Sequence, residues 1–153
     1  NKVMVVLGAH MEKLIDQIGK LSVKYCYNDS YKEGMLSSVQ CGFRNIPSDC
    51  KAVLVFQGDQ PLITPSVINT VIEAYWMSGK GIIIPVYMSK RGHPILIDRK
   101  YSDEIEKLDA GNGLRSLAYR FYDDVLEVNT DESGILRDFD TYEQYRKEIN
   151  QTQ

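Results

Sequence analysis

The sequence has 153 residues, 43% of them hydrophobic and 25% charged, which is the composition of an ordinary soluble globular protein. Its formal net charge of −3 argues against a nucleic-acid-binding protein that works through bulk electrostatics. No apolar run approaches the roughly 20 residues of a membrane span, and no signal peptide is visible.

The chain length predicts one domain. The three cysteines, Cys26, Cys41 and Cys50, have no CxxC spacing, which indicates neither a disulfide framework nor a zinc site. We therefore expect a cytoplasmic protein with reduced thiols, and neither a nucleic acid nor a membrane as its partner.

Strand and helix patterns alternate along almost the whole chain. The predicted strands are 2–7, 21–25, 51–56, 81–85, 94–97 and 124–128, and the predicted helices are 10–19, 31–43, 65–77, 102–108, 113–121 and 141–149. Such alternation is typical of an α/β fold with a largely parallel sheet covered on both faces. The alternation of strand and helix patterns is interrupted over residues 85–100, which predicts a mixed sheet in that part.

The first candidate site lies where the apolar run 53–56 ends at Gly58 and Asp59. In open α/β sheets the carboxyl ends of strands border the ligand crevice, and a carboxylate there suits Mg²⁺, a hard cation that keeps most of its waters. Asp59 equally suits the cap of the next helix, which begins at Thr64 and Pro65, or the closure of the turn. The pattern alone leaves these roles open.

The second candidate is the turn that runs from Lys90 to Pro94. Arg91 offers a bidentate fork to a phosphate, and Gly92 would let the backbone approach a ligand. His93 directly before Pro94 is more typical of turn scaffolding than of a general base. The alternative interpretation is a solvated hairpin turn.

Two further clusters precede predicted helices. Gly111 and Gly113 lead into a helix start whose backbone N–H groups would face an anion, with Arg115 one turn in. Asp138 and Asp140 are separated by one residue at a strand-to-helix junction, where they would supply a second oxygen ligand to a metal. Alternatively, Asp140 opens a capping box over residues 140–143.

Gly34 falls inside the predicted helix 31–43, where a glycine costs about 1 kcal/mol relative to alanine. Close approach of a flat ligand such as a nucleotide base would explain it, and so would helix packing.

Taken in order, these motifs resemble those of the molybdenum-cofactor nucleotidyltransferases, and most closely the molybdopterin cytidylyltransferase branch. The similarity covers nearly the whole chain. Its motifs are Asn28-x-x-Tyr31-x-x-Gly34-Met35-x-x-Ser38-Val39-x-x-Gly42, Gly58-Asp59-Gln60-Pro61, Arg91-Gly92-His93-Pro94, Gly113-Leu114-Arg115 and Asp138-Phe139-Asp140-Thr141.

The resemblance implies a Rossmann-like three-layer nucleotidyltransferase fold. It implies an Mg²⁺-dependent enzyme that joins a nucleoside triphosphate, with CTP favoured, to the phosphate of a molybdopterin-type substrate and releases pyrophosphate. A molybdenum hydroxylase is a further expected partner.

The resemblance also implies roles for single residues. Asp59 would be the catalytic Mg²⁺ ligand, and Asp138 or Asp140 would complete the metal site. The nucleotide would be bordered by Gly34, Met35, Ser38 and Gly58. The pterin and its phosphate would face Gln60, Pro61, Arg91, Gly92, His93, Pro94, Gly113 and Arg115.

The sequence departs from the family pattern in two ways. The family's first strand, its glycine-rich Leu-x-Ala-Gly-x-Ser-x-Arg-Met-Gly loop and a downstream lysine are not found, so we expect an N-terminally truncated chain that turns over poorly. Gly111 stands where the family carries Asp in a Gly-Asp-x-Gly-x-Arg motif, and Asp109 lies two residues earlier.

Other functions remain open at this point. One is a nucleotidyltransferase that acts on a sugar phosphate or on methylerythritol phosphate, although the Arg91–Pro94 motif favours the pterin branch. Another is a non-catalytic accessory protein that binds finished molybdenum cofactor and delivers it to a hydroxylase. A glycosyltransferase with Asp138-x-Asp140 as its metal motif is a more distant alternative.

Overall fold

The computed structural model describes residues 3–109, 111 and 113–151. Over these residues the strands are β1 (Met4–Leu7), β2 (Lys24–Tyr27), β3 (Ala52–Val55), β4 (Ile82–Tyr87), β5 (Lys90–Arg91), β6 (Ile95–Asp98) and β7 (Val125–Asn129). The α-helices are α1 (Met11–Ile18), α2 (Met35–Arg44), α3 (Pro65–Ser78), α4 (Ser102–Glu106), α5 (Arg115–Arg120) and α6 (Tyr142–Gln151). Short 3₁₀ segments cover Tyr31–Glu33, Arg99–Tyr101, Tyr122–Asp124 and Ser133–Leu136.

The chain forms two compact units, and each is built from two chain segments. The first unit comprises Asn1–Lys51 and Arg99–Tyr122, and the second comprises Ala52–Asp98 and Asp123–Gln153. The expectation of a single domain stays a prediction.

The first unit contains a parallel two-stranded sheet in which Met4 of β1 lies opposite Lys24 of β2. A parallel pair needs a crossover connection, and α1 lies in that connection. Helix α2 packs against β1 and buries Leu36, Val39 and Phe43 at the spacing of one helix face.

The second unit contains a mixed sheet, as the sequence predicted for residues 85–100. Strand β6 lies between β3 and β4 and is antiparallel to both. Strand β7 pairs parallel with β4, so β3, β4 and β7 run in the same direction. The sheet has more antiparallel pairing than the alternation predicted, because the chain reverses at Met88 and Ser89, both with positive φ, and returns along β4.

The core of the second unit lies between this sheet and α3. Its fully buried members are Val67 and Val71 of α3 together with Ile83, Leu96 and Ile135. The predicted start of α3 is confirmed, since Thr64 caps it by accepting a hydrogen bond from the backbone N–H of Val67, and Pro65 occupies the first turn, where its missing N–H costs nothing.

Several predicted boundaries were wrong by a few residues. Strand β2 begins at Lys24 instead of residue 21, because the backbone N–H of Leu21 bonds Ile18 and that of Val23 bonds Leu21, which makes this stretch a turn. Lys2, the predicted start of β1, lies outside the described residues. Within the described part of the chain, no helix combines the length and apolar character needed to cross a membrane.

Candidate active site

Asp59 lies in an exposed turn that follows β3. The turn is closed by the backbone, since the N–H of Gln60 donates to the carbonyl of Gln57. The next helix is capped by Thr64, so the interpretation of Asp59 as a helix cap was wrong. The carboxylate is therefore not committed to capping and stays a candidate ligand.

The neighbouring residues of this turn are also suited to contact a ligand. A Cβ at Gly58 would have open space around it. The side-chain Oε1 of Gln60 is buried and has no hydrogen-bond partner among the described residues. Since buried polar atoms are almost always hydrogen-bonded, this oxygen is suited to accept a hydrogen bond from a water or a ligand.

The structure brings the Asp59 turn to the junction that carries Asp138 and Asp140. The backbone N–H of Phe139 donates to the carbonyl of Asp59 at 2.9 Å. Because Asp138 and Asp140 flank Phe139, the backbone of all three aspartates lies in one part of the second unit, and all three residues are exposed.

The cap of α6 differs from the predicted one by one residue. Thr141 accepts a hydrogen bond from the N–H of Gln144 through Oγ1, at 3.2 Å. In return, Gln144 Oε1 accepts from the N–H groups of Asp140 and Thr141. This is a capping box that starts at Thr141, so the prediction for residues 140–143 was wrong and Asp140 does not cap the helix.

Helix α6 is also held by a paired Arg137 and Glu148. The two guanidinium nitrogens donate to the two carboxylate oxygens at 2.5 and 2.6 Å. This hydrogen bonding raises the pKa of Arg137, which therefore stays charged directly before Asp138.

The donor set fits a hard divalent cation. Among residues 3–109, 111 and 113–151, no group of three or more His, Cys, Asp or Glu side chains could hold a metal ion. Mg²⁺ is commonly held by only one or two carboxylates together with waters and substrate phosphates. Asp59, Asp138 and Asp140 are the candidates for such a ligand, and their metal role stays a prediction.

Residues Arg91 to Pro94 are not the hairpin turn that the alternative interpretation assumed, because the chain reverses earlier, at Met88 and Ser89. Arg91 lies in β5 and donates Nε to Glu127 at 2.7 Å in an exposed ion pair. Gly92 and Pro94 are buried. The peptide bond between His93 and Pro94 is cis.

Gly92 is explained by the protein's own backbone. A Cβ at this position would lie 2.4 Å from the carbonyl oxygen of Ile135, and the N–H of His93 donates to that same oxygen. The close approach expected of a ligand is therefore made by Ile135. Contact of Arg91, His93 and Pro94 with a substrate stays a prediction.

The 3₁₀ segment Ser133–Leu136 contacts two of the predicted motifs. The sequence analysis did not predict this segment. A Cβ at Gly134 would lie 2.4 Å from the carbonyl oxygen of Leu62, and the fully buried Ile135 contacts Gly92. The segment thus packs against both the chain after Asp59 and the 92–94 region. The only sequence signal was the glycine at position 134.

The remaining predicted site residues belong to the first unit. Gly34 has φ 102° and ψ −177°, a conformation essentially restricted to glycine, and a Cβ there would meet no neighbour. It separates the 3₁₀ turn Tyr31–Glu33 from α2, so the predicted helix 31–43 is interrupted. Backbone conformation is sufficient to account for this glycine, and contact of Gly34 with a nucleotide stays a prediction.

A buried asparagine holds this interruption in place. Asn28 Nδ2 donates to the hydroxyls of Ser37 and Ser38 at 2.8 and 3.1 Å, and its Oδ1 accepts from the N–H of Ser30. The Ser37 hydroxyl lies within hydrogen-bond distance of the carbonyls of Ser30 and Gly34. Asn28 and Ser37 thus hold in place the segment that contains Gly34, Met35 and Ser38.

The loop before α5 carries the last two predicted residues. Gly113 has φ 60°, and Arg115 is the exposed first residue of α5. Asp109 accepts a hydrogen bond from the N–H of Gly111 at 2.9 Å, so its carboxylate helps to close the loop. Ala110 and Asn112 lie outside the described residues.

Comparisons with known proteins identify the type of domain. Residues 1–125 match the family model of the MobA-like NTP transferase domain, while the sequence has no significant match among curated proteins.

Several solved structures share the fold. One is Rv0371c from Mycobacterium tuberculosis, with 19% identity, a TM-score of 0.80 and coverage of 98% of this chain and 76% of that one. The same protein in complex with manganese matches with a TM-score of 0.78, 19% identity and coverage of 98% and 78%.

Two further structures carry more specific names. The 4-diphosphocytidyl-2C-methyl-D-erythritol synthase from Anaerococcus prevotii has 16% identity, a TM-score of 0.75 and coverage of 98% and 78%. Molybdopterin-guanine dinucleotide biosynthesis protein A from Archaeoglobus fulgidus has 13% identity, a TM-score of 0.63 and coverage of 97% and 79%. The expected fold class is thereby confirmed.

Proposed function

Since the chain belongs to the family of MobA-like NTP transferase domains and is a nucleotidyltransferase, we propose that it transfers the nucleotide of CTP to the phosphate of a molybdopterin-type acceptor and releases pyrophosphate. The order of its motifs supports the choice of acceptor and nucleotide. One neighbour of the same fold is named a molybdopterin-guanine dinucleotide biosynthesis protein.

The observation that carries the proposal is the hydrogen bond between Phe139 and Asp59. It joins the backbone at Asp59 to the segment of Asp138 and Asp140, and we infer that one or two of these carboxylates would hold Mg²⁺. When bound, the cation offsets negative charge on the triphosphate and on the leaving pyrophosphate. The manganese complex of a neighbour with the same fold supports a divalent cation.

The remaining groups act by binding and orientation. The acceptor phosphate is already ionised at neutral pH, so the reaction needs no general base, and alignment of the two anionic substrates is the main requirement. In the second unit, the guanidinium group of Arg91 is the one proposed to offset the charge of that phosphate. In the first unit, Asn28 holds the segment that contains Gly34, Met35 and Ser38, the residues proposed to contact a nucleotide.

A second acceptor has an observation in its favour. The neighbour named as a 4-diphosphocytidyl-2C-methyl-D-erythritol synthase has a higher TM-score than the molybdopterin-related neighbour. Methylerythritol phosphate is therefore the alternative acceptor, with the same nucleotide and the same metal chemistry.

The test is a pyrophosphate-release assay on the protein encoded by the complete gene. Each of the four nucleoside triphosphates is supplied with molybdopterin or with methylerythritol phosphate, in the presence of Mg²⁺ or Mn²⁺. We expect turnover with CTP and molybdopterin only. Turnover with methylerythritol phosphate alone would establish the alternative, and release with neither acceptor would contradict both.

A further inference from the structure

Two of the three cysteines form an adjacent pair in the first unit. Cys26 lies in β2 and Cys41 in α2, and their Sγ atoms are 3.6 Å apart. Cys26, Cys41 and Cys50 are all reduced. Cys41 is buried, whereas Cys26 is partly exposed, so the pair is reached from the surface through Cys26.

We propose that Cys26 and Cys41 are a redox modification site, at which hydrogen peroxide converts the two thiols to a reversible disulfide that cross-links β2 to α2. The proposal is independent of the proposed function. Reducing intracellular compartments rarely keep structural disulfides, and the ones that form there are usually transient and redox-sensing.

Exposure assigns different roles to the two sulfurs. Cys41 lies within hydrogen-bond distance of the carbonyl of Tyr27 at 3.4 Å, and Cys26 lies within that distance of the Met4 sulfur at 3.8 Å, so either thiol can donate in the contact between them. Cys26 is the partly exposed sulfur, and peroxide therefore reaches it first. Burial and the neighbouring Cys41 raise the pKa of Cys26 to about 11, so little of it is thiolate at neutral pH and we expect the oxidation to be slow.

The chemistry balances with peroxide as the oxidant. Cys26 Sγ attacks one peroxide oxygen, the O–O bond breaks, and a sulfenic acid forms as one water leaves. Cys41 Sγ then attacks that sulfenic sulfur, the S–O bond breaks, and a second water leaves with the Cys41 proton. Two thiols lose two electrons and one peroxide becomes two waters. The sulfurs must approach from 3.6 Å to a bond of about 2.05 Å.

The position of the pair gives the cross-link a structural consequence. Cys26 lies two residues before Asn28, and Cys41 lies three residues after Ser38. The side chains of Asn28 and Ser38 are hydrogen-bonded to each other at 3.1 Å. A disulfide would therefore fix β2 to α2 beside the loop that contains Gly34. It would also stabilise the fold, because closing the chain between the two cysteines restricts the unfolded state.

The test treats the reduced native chain with hydrogen peroxide, alkylates the remaining thiols and maps the peptides by mass spectrometry. We expect a species lighter by two hydrogens, a peptide that joins Cys26 to Cys41, one alkylated thiol at Cys50, and full reversal by dithiothreitol. The urea midpoint of the oxidised protein should exceed that of the reduced protein.

Matched variants separate the pair from general oxidation. Cys50→Ser should behave like the parent chain, whereas Cys26→Ser should give no linked peptide and no rise in the urea midpoint. Three alkylatable thiols after treatment, a linkage that includes Cys50, or an unchanged urea midpoint in the linked protein would overturn the proposal. The Cys50→Ser result decides the question even if Cys26→Ser does not fold.

Discussion

The backbone N–H of Phe139 donates to the carbonyl of Asp59 across 2.9 Å, and this contact places a turn after β3 beside the start of α6. It converts two separate acidic motifs into one candidate metal site. The side chains themselves are exposed, so they are accessible to a metal–nucleotide complex.

This relationship predicts that Asp59 and Asp138 contribute to one metal site. Asp59→Asn and Asp138→Asn should each weaken Mn²⁺ binding about tenfold or more, and because the two carboxylates would share one ion, the double variant should lose less than the sum of the two free-energy changes. The measurement is Mn²⁺ titration by calorimetry in the presence of CTP.

Asp131→Asn is the control for this experiment, because Asp131 is another exposed aspartate of the same unit and is not one of the candidate ligands. It should bind Mn²⁺ as the parent chain does. Equal binding by all three single variants would exclude Asp59 and Asp138 as ligands.

The capping box predicts different stability effects at two adjacent positions. Thr141→Ala should lower the free energy of unfolding by about 1 kcal/mol, because the N–H of Gln144 loses its acceptor. Asp140→Asn should change it by less than about 0.5 kcal/mol, since this carboxylate does not cap α6. Urea denaturation measures both changes. A larger loss of unfolding free energy for Asp140→Asn than for Thr141→Ala would show that Asp140 caps α6.

The contact between Gly92 and Ile135 predicts that even alanine is not tolerated there. The added methyl group would overlap the Ile135 carbonyl oxygen, and such overpacking costs about 1–3 kcal/mol. Gly58→Ala is the matched control, because its Cβ would meet no atom within 4 Å. Thermal unfolding should show a clearly lower melting temperature for Gly92→Ala only, and similar values for the two variants would refute the close contact.

Alanine substitutions at Gly34, which precedes α2, and at Gly42, which lies within it, should change the free energy of unfolding in opposite directions. Gly34→Ala should lose about 1–3 kcal/mol, because its backbone conformation is restricted to glycine. Gly42→Ala should gain up to about 1 kcal/mol through helix propensity, since its Cβ would make only an ordinary contact, 3.4 Å from Val6. Chemical denaturation checks the signs, and a neutral Gly34→Ala would mean that the loop rearranges without cost.

The sequence by itself determined the features that depend on neighbouring residues. The alternation of strands and helices, the mixed sheet near residues 85–100 and the start of α3 at Thr64 and Pro65 were all predicted. These signals are local, because hydrophobic periodicity and helix capping act over a few residues. The order of the short motifs likewise indicated the nucleotidyltransferase family, and it did so without knowledge of any long-range contact.

Only the tertiary structure decided the features that depend on residues far apart in the chain. Gly92 is required by Ile135, and the turn of Asp59 is held by Phe139, partners that no local pattern can supply. The sequence pattern assigned the cap of α6 to Asp140, and only the contacts of Gln144 showed that Thr141 caps the helix. Physically, hydrogen bonds and steric overlap act over a few ångströms in space, so the sequence could propose Asp59 as a ligand, while the fold alone determined that its backbone contacts the segment of Asp138 and Asp140.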